Sequence, residues 1–267
     1  MIYPRTLSLG LFYYILLIKR LGLLLFIGIL PNIISAQNKG DFVIGPIFGI
    51  NYVTTVGNGI DYTKQQIKDN IEYYETLGVS ISGGVYPRTG LNAGLFLDYY
   101  FIDNIAFCTG LSYSQKGYVV KNSFELTTGY DYKIEEEIKV NLNYIDFPLL
   151  LKYHFKNGIE LSGGLLLSFL VSDKVITEAT EIYETIDSIS GNIITVNEHT
   201  TEKDDYDDVV DDNEANALLT GFQIGVSYTI KRLNFSLNLN RNNRFGVVAG
   251  KSKNSNVVFQ FCTRVNF

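Results

Sequence analysis

The sequence predicts an all-β protein: an eight-stranded antiparallel up-and-down transmembrane β-barrel that follows a cleaved N-terminal signal peptide. Three observations carry this reading. The composition sets 19 Tyr and 17 Phe against no Trp and one Met, with 24 Gly and 5 Pro, a stock suited to pleated surfaces joined by turns. Apolar residues recur at every second position in eight segments, the period of a strand with one apolar face. The connections between these segments alternate between short and long. An antiparallel meander does this when tight turns lie on one side of a membrane and longer loops on the other.

Residues 1–36 read as a separate targeting segment. Two apolar runs, Leu9–Ile18 and Leu21–Leu30, flank Lys19 and Arg20. A basic pair, an apolar stretch of about ten residues and the small-residue ending Ser35-Ala36 predict a secretory signal cut near Ala36. The part before Lys19 is then an over-long leading region or an early start codon. A membrane anchor over Leu7–Ile34 competes with this reading, but two adjacent charges interrupt it near its centre. The residue after Ala36 is Gln37 and not cysteine, so lipid attachment is not expected.

Residues 37–267 read as one barrel domain. Its first strand aligns Phe42, Ile44, Phe48, Ile50 and Tyr52, and its second Leu91, Ala93, Leu95, Leu97, Tyr99 and Phe101. Ile105, Phe107, Leu111 and Tyr113 mark the third. Asn143–Leu167 (NYIDFPLLLKYHFKNGIELSGGLLL) holds the fourth and fifth around Lys156-Asn157-Gly158. Its outer face is Ile145, Phe147, Leu149, Leu151, Tyr153 and Phe155, and its inner face Asp146, Lys152 and His154. Pro148 removes a ladder hydrogen bond there, which predicts a bulge or local break. The sixth strand runs through Leu218, Phe222, Ile224, Val226, Tyr228 and Ile230, and the seventh through Leu233, Phe235, Leu237 and Leu239. Val257, Phe259, Phe261, Val265 and Phe267 form the eighth.

Ile102-Asp103-Asn104, Lys156-Asn157-Gly158 and Lys231-Arg232 are the short turns, which places them on the periplasmic side. Segments 56–90, 119–138, 173–216 and 242–254 are read as long outer loops, the first with a small hairpin at Val79–Tyr86. Tyr52, Tyr99, Tyr153, Phe155, Tyr228 and Phe267, near strand ends, are expected to form interfacial girdles.

The polar parity of these strands is rich in Gly, Ser and Asn, with isolated charges. Small hydrogen-bonding side chains fit the narrow interior of an eight-stranded barrel, whereas a soluble surface would carry more Lys and Glu. Asp98, Asp146, Lys152, Glu160 and Arg264 form the expected lumen network. They could mark a transport path, but unpaired charge at low dielectric is costly, so pairing and filling of the lumen is the favoured reading. Cys108 and Cys262 share the lumen parity but lie three strands apart around the ring, about 15 Å at 4.8 Å per strand, too far for a disulfide.

Charge excludes several functions. Asp173–Asn216 holds fourteen acidic residues against Lys174 and Lys203, a balance of −12, which leaves +6 for the rest of a chain whose total is −6. Dense charge of that sign in one segment argues against nucleic-acid binding. The acidic loop (Asp204, Asp205, Asp207, Asp208, Asp211, Asp212) lacks the glycine and spaced glutamate of a calcium loop, so a solvated segment without metal is expected. His154 and His199 are the only histidines, and neither lies near a nucleophile motif. No catalytic constellation and no cofactor are expected.

The block Tyr144–Phe155, followed by Gly-Ile-Glu-Leu-Ser-Gly-Gly, resembles the PorT-like outer-membrane β-barrel family of Gram-negative bacteria. So do the earlier Gly94–Phe101 and Thr109–Tyr118 stretches and the signal ending Ser-Ala-Gln. The resemblance covers most of residues 41–267 and implies an outer-membrane barrel. Its name-giving member is associated with type IX protein secretion, whereas most relatives have no assigned role, so the resemblance carries fold further than function. The reading is a monomeric barrel in contact with outer-membrane lipid, with a structural or interaction role through its outer loops. The alternatives are a component of a secretion or envelope-assembly machine, with envelope or secretion proteins as partners, and a narrow channel.

Overall fold

The computed structural model describes residues 39–126, 131–186, 193–204, 218–242 and 254–267. In chain order they form β1 (Phe42–Gly57), α1 (Asn58–Glu75), β2 (Ser80–Ile102), β3 (Ile105–Leu126), β4 (Tyr132–His154) and β5 (Ile159–Ile186). β6 (Ile193–Asp204), β7 (Leu218–Ile230), β8 (Leu233–Asn242) and β9 (Asn254–Val265) follow. All pairings are antiparallel, and eight strands close a ring in the order β1-β2-β3-β4-β5-β7-β8-β9, with β9 returning to β1. The ninth, β6, stands outside the ring. It pairs with the outer half of β5, from Val175↔Asp204 to Ile186↔Ile193.

The alternation read from the sequence is inverted relative to a water-soluble sheet. On β1, Phe48 is 58% exposed while Asn51 is fully buried. The same holds around the ring, with Leu95, Leu111, Leu151, Phe222, Leu237 and Phe261 outward and Asn92, Ser114, Lys152, Gln223, Asn240 and Gln260 buried. Only a wall solvated by hydrocarbon makes that arrangement favourable, because lipid welcomes the apolar set and a closed ring leaves no unpaired strand edge in the bilayer. From Phe42 to Tyr52 the outward face of β1 is apolar over a length close to the 9–11 residues that span a bilayer. Tyr99, Tyr153, Phe155, Tyr228 and Phe267 line the short-turn rim, and Tyr52 lies towards the other end.

The turns have ordinary causes. Gly158 takes φ 86° in the turn between β4 and β5, and Lys231 takes φ 57° in the two-residue link between β7 and β8, the left-handed conformation such tight hairpins require. Pro148 produces no register shift. Its pairing with Leu166 of β5 is regular, but the ladder to β3 breaks at Pro148 and Phe147, opposite Gly110 and Leu111, which is the local break expected there. The bulge falls instead at Asn143/Tyr144, where β5 carries Val171 as an extra residue.

Three segments read as loops contain regular structure. β2, β3, β4 and β5 continue well past the apolar band, with Ser80↔Glu125, Leu126↔Tyr132 and Tyr132↔Tyr183 as their last rungs. Val79–Tyr86 forms no separate hairpin, because from Ser80 it is the outer end of β2. The apolar face is reversed here while pairing persists: Tyr118, Val120, Val140 and Val175 point inward, and the outward positions now face water and take charge, as in Lys121–Glu137 (3.3 Å) and Lys139–Glu178 (2.8 Å). The bulk of 242–254 lies outside the described residues.

The helix α1 was not expected. Ile60, Thr63, Ile67 and Ile71 recur on its inner stripe, the spacing of one helical face. Ile60 is fully buried in a cluster with Tyr118, Val120, Val140, Leu142, Tyr144, Val175 and Leu219. Asn254 of β9 accepts the Ile60 N–H through Oδ1 at 3.0 Å, satisfying one of the first-turn donors. An apolar cluster therefore lies at the long-loop end of the lumen. Cys108 on β3 and Cys262 on β9 are free and buried, with β2 and β1 between their strands.

If Ile60 holds α1 on the apolar cluster, Ile60→Asp should release the helix while leaving the ring closed. Limited trypsin digestion is expected to cut the variant at Lys64 or Lys68 at least tenfold faster, with heat-modifiable gel migration retained. Equal protection of variant and parent would refute the role of this contact.

Candidate functional site

The lumen charges gather into two groups at different depths. Near the short turns, β2 supplies Asp98, β4 supplies Lys152 and His154, β5 supplies Glu160 and β9 supplies Arg264, all buried. Lys152 Nζ donates to Asp98 Oδ2 and lies 3.8 Å from Glu160. Arg264 approaches Glu160 at 3.3 Å and Asp98 at 3.6 Å. Two carboxylates therefore meet two cations, and the local charge closes to zero without help from solvent.

Hydrogen bonds fix the rest of this group. Ser227 and Thr229 of β7 donate to Glu160 at 2.9 and 2.5 Å, and Asn234 of β8 accepts from Arg264 Nε at 3.1 Å. His154 Nδ1 lies 3.2 Å from Glu160, and its Nε2 lies 2.7 Å from the Tyr100 hydroxyl. A carboxylate can only accept, so the tautomer with hydrogen on Nδ1 lets Tyr100 donate to Nε2 and satisfies both ring nitrogens. The Arg264 guanidinium also stacks 4.4 Å from the centre of the Phe96 ring.

The second group lies nearer the apolar cluster. Lys116 Nζ donates to Asp146 at 2.8 Å and to Ser168 at 3.1 Å, and Ser168 donates to Asp146 at 2.5 Å. Asn242 donates to Ser168 at 3.0 Å, and the Tyr144 ring lies 4.7 Å from the lysine nitrogen. Between the two groups is a cavity of about 60 Å³, reached by Asp146 from above and by Lys152 and Arg264 from below. That is room for a few water molecules.

Of the five residues read from the sequence, Asp98, Lys152, Glu160 and Arg264 meet in one group, and Asp146 lies in the other. Lys116, Ser168 and Tyr100 were missed, and His154 was placed inward without a partner. Lys116 was within reach of the argument, since it shares the inward parity of Cys108, Ser112 and Ser114 on β3. Of the acidic residues, Asp204 ends β6, where it is exposed and opposite Val175. Asp205, Asp207, Asp208, Asp211 and Asp212 lie outside the described residues. His199 is on β6, within 3.1 Å of Thr180 and 3.3 Å of Thr201.

Above the apolar band, the outward faces of the tall strands enclose a trough of about 420 Å³ lined by Lys121, Glu135, Glu137, Glu178, Thr180 and His199. The Lys139 ammonium donates to Glu178, and this hydrogen bond is the first reason that the Glu178 carboxyl is held below its usual range. Among the described residues, no group of three or more His, Cys, Asp or Glu side chains has the arrangement to hold a metal ion.

Comparison with known proteins gives the family. Residues 35–243 match the profile of the outer membrane protein beta-barrel domain. Among solved structures, the chain is similar to Ail, the attachment invasion locus protein of Yersinia pestis, at 9% identity over 86% of this chain and 99% of that one, with a TM-score of 0.36. It is also similar to Neisserial surface protein A, at 13% identity over 85% and 97%, with a TM-score of 0.31. For OprG from Pseudomonas aeruginosa the values are 13%, 87%, 97% and 0.29. No protein of curated function matches. The profile spans more than half of the chain and fits the closed ring, the apolar exterior and the polar interior, so the chain belongs to the outer membrane protein beta-barrel domain family.

Proposed function

We propose that this outer-membrane barrel is non-enzymatic, with a closed lumen, and serves a structural or interaction role through the parts that stand above the membrane. The observation that carries the reading is occlusion at successive depths. The Asp98–Lys152–Glu160–Arg264 group, the Lys116–Asp146–Ser168 group and the Ile60 cluster stand one above another in the lumen, with a cavity of about 60 Å³ between the two charged groups. Each lumen cation in them is paired with a carboxylate at 3.6 Å or less, so a permeating ion would find its binding partners already taken.

A finer reading has its own support. The Tyr144–Phe155 block resembles the PorT-like barrels, which favours a subunit of a secretion machine of the type IX kind or of an envelope-assembly machine over a lone barrel. Gentle solubilisation of membranes followed by affinity purification is expected to retain envelope proteins in a machine subunit and to return a monomer otherwise.

Two measurements test occlusion. The purified chain in planar bilayers is expected to show no stepwise ion conductance at 1 M salt, and steady open-channel current would overturn the closed lumen. Lys152→Met leaves the buried Asp98 and Glu160 to Arg264 and His154, which should cost about 3–5 kcal/mol, the range for breaking a buried ion pair. Urea unfolding in detergent reads this loss. Undiminished stability together with new conductance would mean that the lysine gates a path.

A further inference from the structure

The strand β6 presents a long edge above the membrane that nothing among the described residues covers. It pairs with β5 along one side from Ile193 to Asp204 and has no second neighbour among the described strands. Eleven of its twelve residues are exposed. At the other end of the same outer sheet, β2 has α1 packed against it, with the Ile67 side chain 3.1 Å from where a Cβ on Gly83 would sit. Within its described span β6 has no proline and no bulge, and the charge that guards its edge is Glu198, Glu202 and Asp204 with Lys203 alone of the opposite sign.

Charge selects what would pair there. The β5–β6 hairpin from Val175 to Ile186 and from Ile193 to Asp204 carries Glu178, Glu181, Glu184, Glu198, Glu202 and Asp204 against Lys203, a balance of −5 from six carboxylates and one lysine. Glu178 already has Lys139 as its partner. Glu198, by contrast, sits directly opposite Glu181 in the ladder, a like-charge rung that is destabilising. No ion pair with either residue occurs among the described groups, and the Tyr183 hydroxyl donates to Glu198 at 3.1 Å. That hydrogen bond, with burial and the charges of both glutamates, raises the Tyr183 hydroxyl above its ordinary range. A cation on the next strand outward would lie beside Glu198 and relieve the rung. A second copy of β6 would bring the same negative balance and aggravate it.

We infer that the edge of β6 is a docking site for an extended, cationic segment of a partner protein, added as a further antiparallel or parallel strand. This rests on the reading that the parts above the membrane carry the interactions, and it names the chemistry of the partner. Main-chain hydrogen bonds supply the adhesion, and Glu181, Glu198, Glu202 and Asp204, which share one face of the hairpin by register, supply the selectivity. The partner would be recognised by alternating Lys or Arg and not by an exact sequence.

The test uses the full chain in lipid nanodiscs and three fluorescent twelve-residue peptides: alternating Lys and Thr, the same peptide N-methylated at every residue, and alternating Glu and Thr. The inference expects the Lys/Thr peptide to bind. It also expects at least a tenfold weaker affinity for the methylated peptide, which keeps the charge but cannot donate to a ladder, and no binding of the Glu/Thr peptide. The double variant E181Q/E198Q, which removes the repulsive rung and should fold at least as well, is expected to weaken Lys/Thr binding at least fivefold. Equal affinity of methylated and unmethylated peptides would reduce the effect to surface attraction and overturn the inference. So would absence of binding at 1 mM, or a Thr201→Cys crosslink showing β6 already paired with a second copy. None of these outcomes depends on bilayer conductance, so failure of the edge and failure of the closed lumen are told apart.

Discussion

Everything in this structure follows from the need to neutralise charge inside a ring too narrow to hydrate it. In the bilayer the outer wall must be apolar, which forces every polar side chain of an alternating strand inward. An eight-stranded ring has an interior just wide enough for side chains, so a lysine or glutamate placed there must find its partner on another strand. Register delivers the partners. Lys152 lies opposite Ser162, Glu160 opposite both His154 and Ser227, and Arg264 opposite Asn234. A one-residue slip of β4 would turn Asp146, Lys152 and His154 into lipid, at about 2–4 kcal/mol for the lysine alone near the midplane. The ion pairs and the register therefore enforce one another. Lumen glycines complete the fit, since a Cβ on Gly225 would meet Ser162 Oγ at 2.8 Å and the Asn238 side chain closer still.

The same rule explains why the wall is uneven. Over the described residues β7, β8 and β9 run for 10 to 13 residues, whereas β2 to β5 run for 22 to 28. Where the tall strands leave the hydrocarbon, their outward positions change from Tyr113, Ile145 and Leu167 to Lys121, Glu137 and Glu178, while their inward positions stay apolar at Tyr118, Val120, Val140 and Val175. The inward set would be exposed at the mouth of the ring, and α1 covers it with Ile60 and Ile67. A helix inside an otherwise all-β chain is thus a consequence of strands that outgrow their membrane.

How much of this could be read from the sequence depends on whether one face of the element met lipid. The strand parity, the short turns and the inward direction of Asp98, Asp146, Lys152, Glu160 and Arg264 were legible, because a two-sided environment leaves a period of two in the residues. The partition into two groups was not, since pairing Asp98 with Lys152 across 54 positions requires the registers of β2–β3 and β3–β4 together. Lys116 was legible in parity but hidden by its place near the end of the apolar stretch. The outer ends of β3, β4 and β5, and β6 itself, were illegible as strands for the opposite reason. Glu135-Glu136-Glu137 and Thr200-Thr201-Glu202 show no alternation, because once a hairpin clears the bilayer water meets its outward face, and for β6 nearly every residue.

Interior and exterior consequently follow opposite rules about unpaired charge. Inside, the attraction between opposite charges is strong and the penalty for a lone one stronger, so each ion of the Asp98–Lys152–Glu160–Arg264 group is matched. Outside, water and salt with a screening length of about 8 Å make a like-charge rung such as Glu181–Glu198 tolerable. A rung that is tolerable but unfavourable is the condition under which a chain can keep charge available for a partner without unfolding itself. The lumen charges are held by one another and are committed to the barrel's own packing. The outer sheet carries charge that no buried partner fixes, as at Glu181 and Glu198, which is the physical basis for the docking edge proposed on β6.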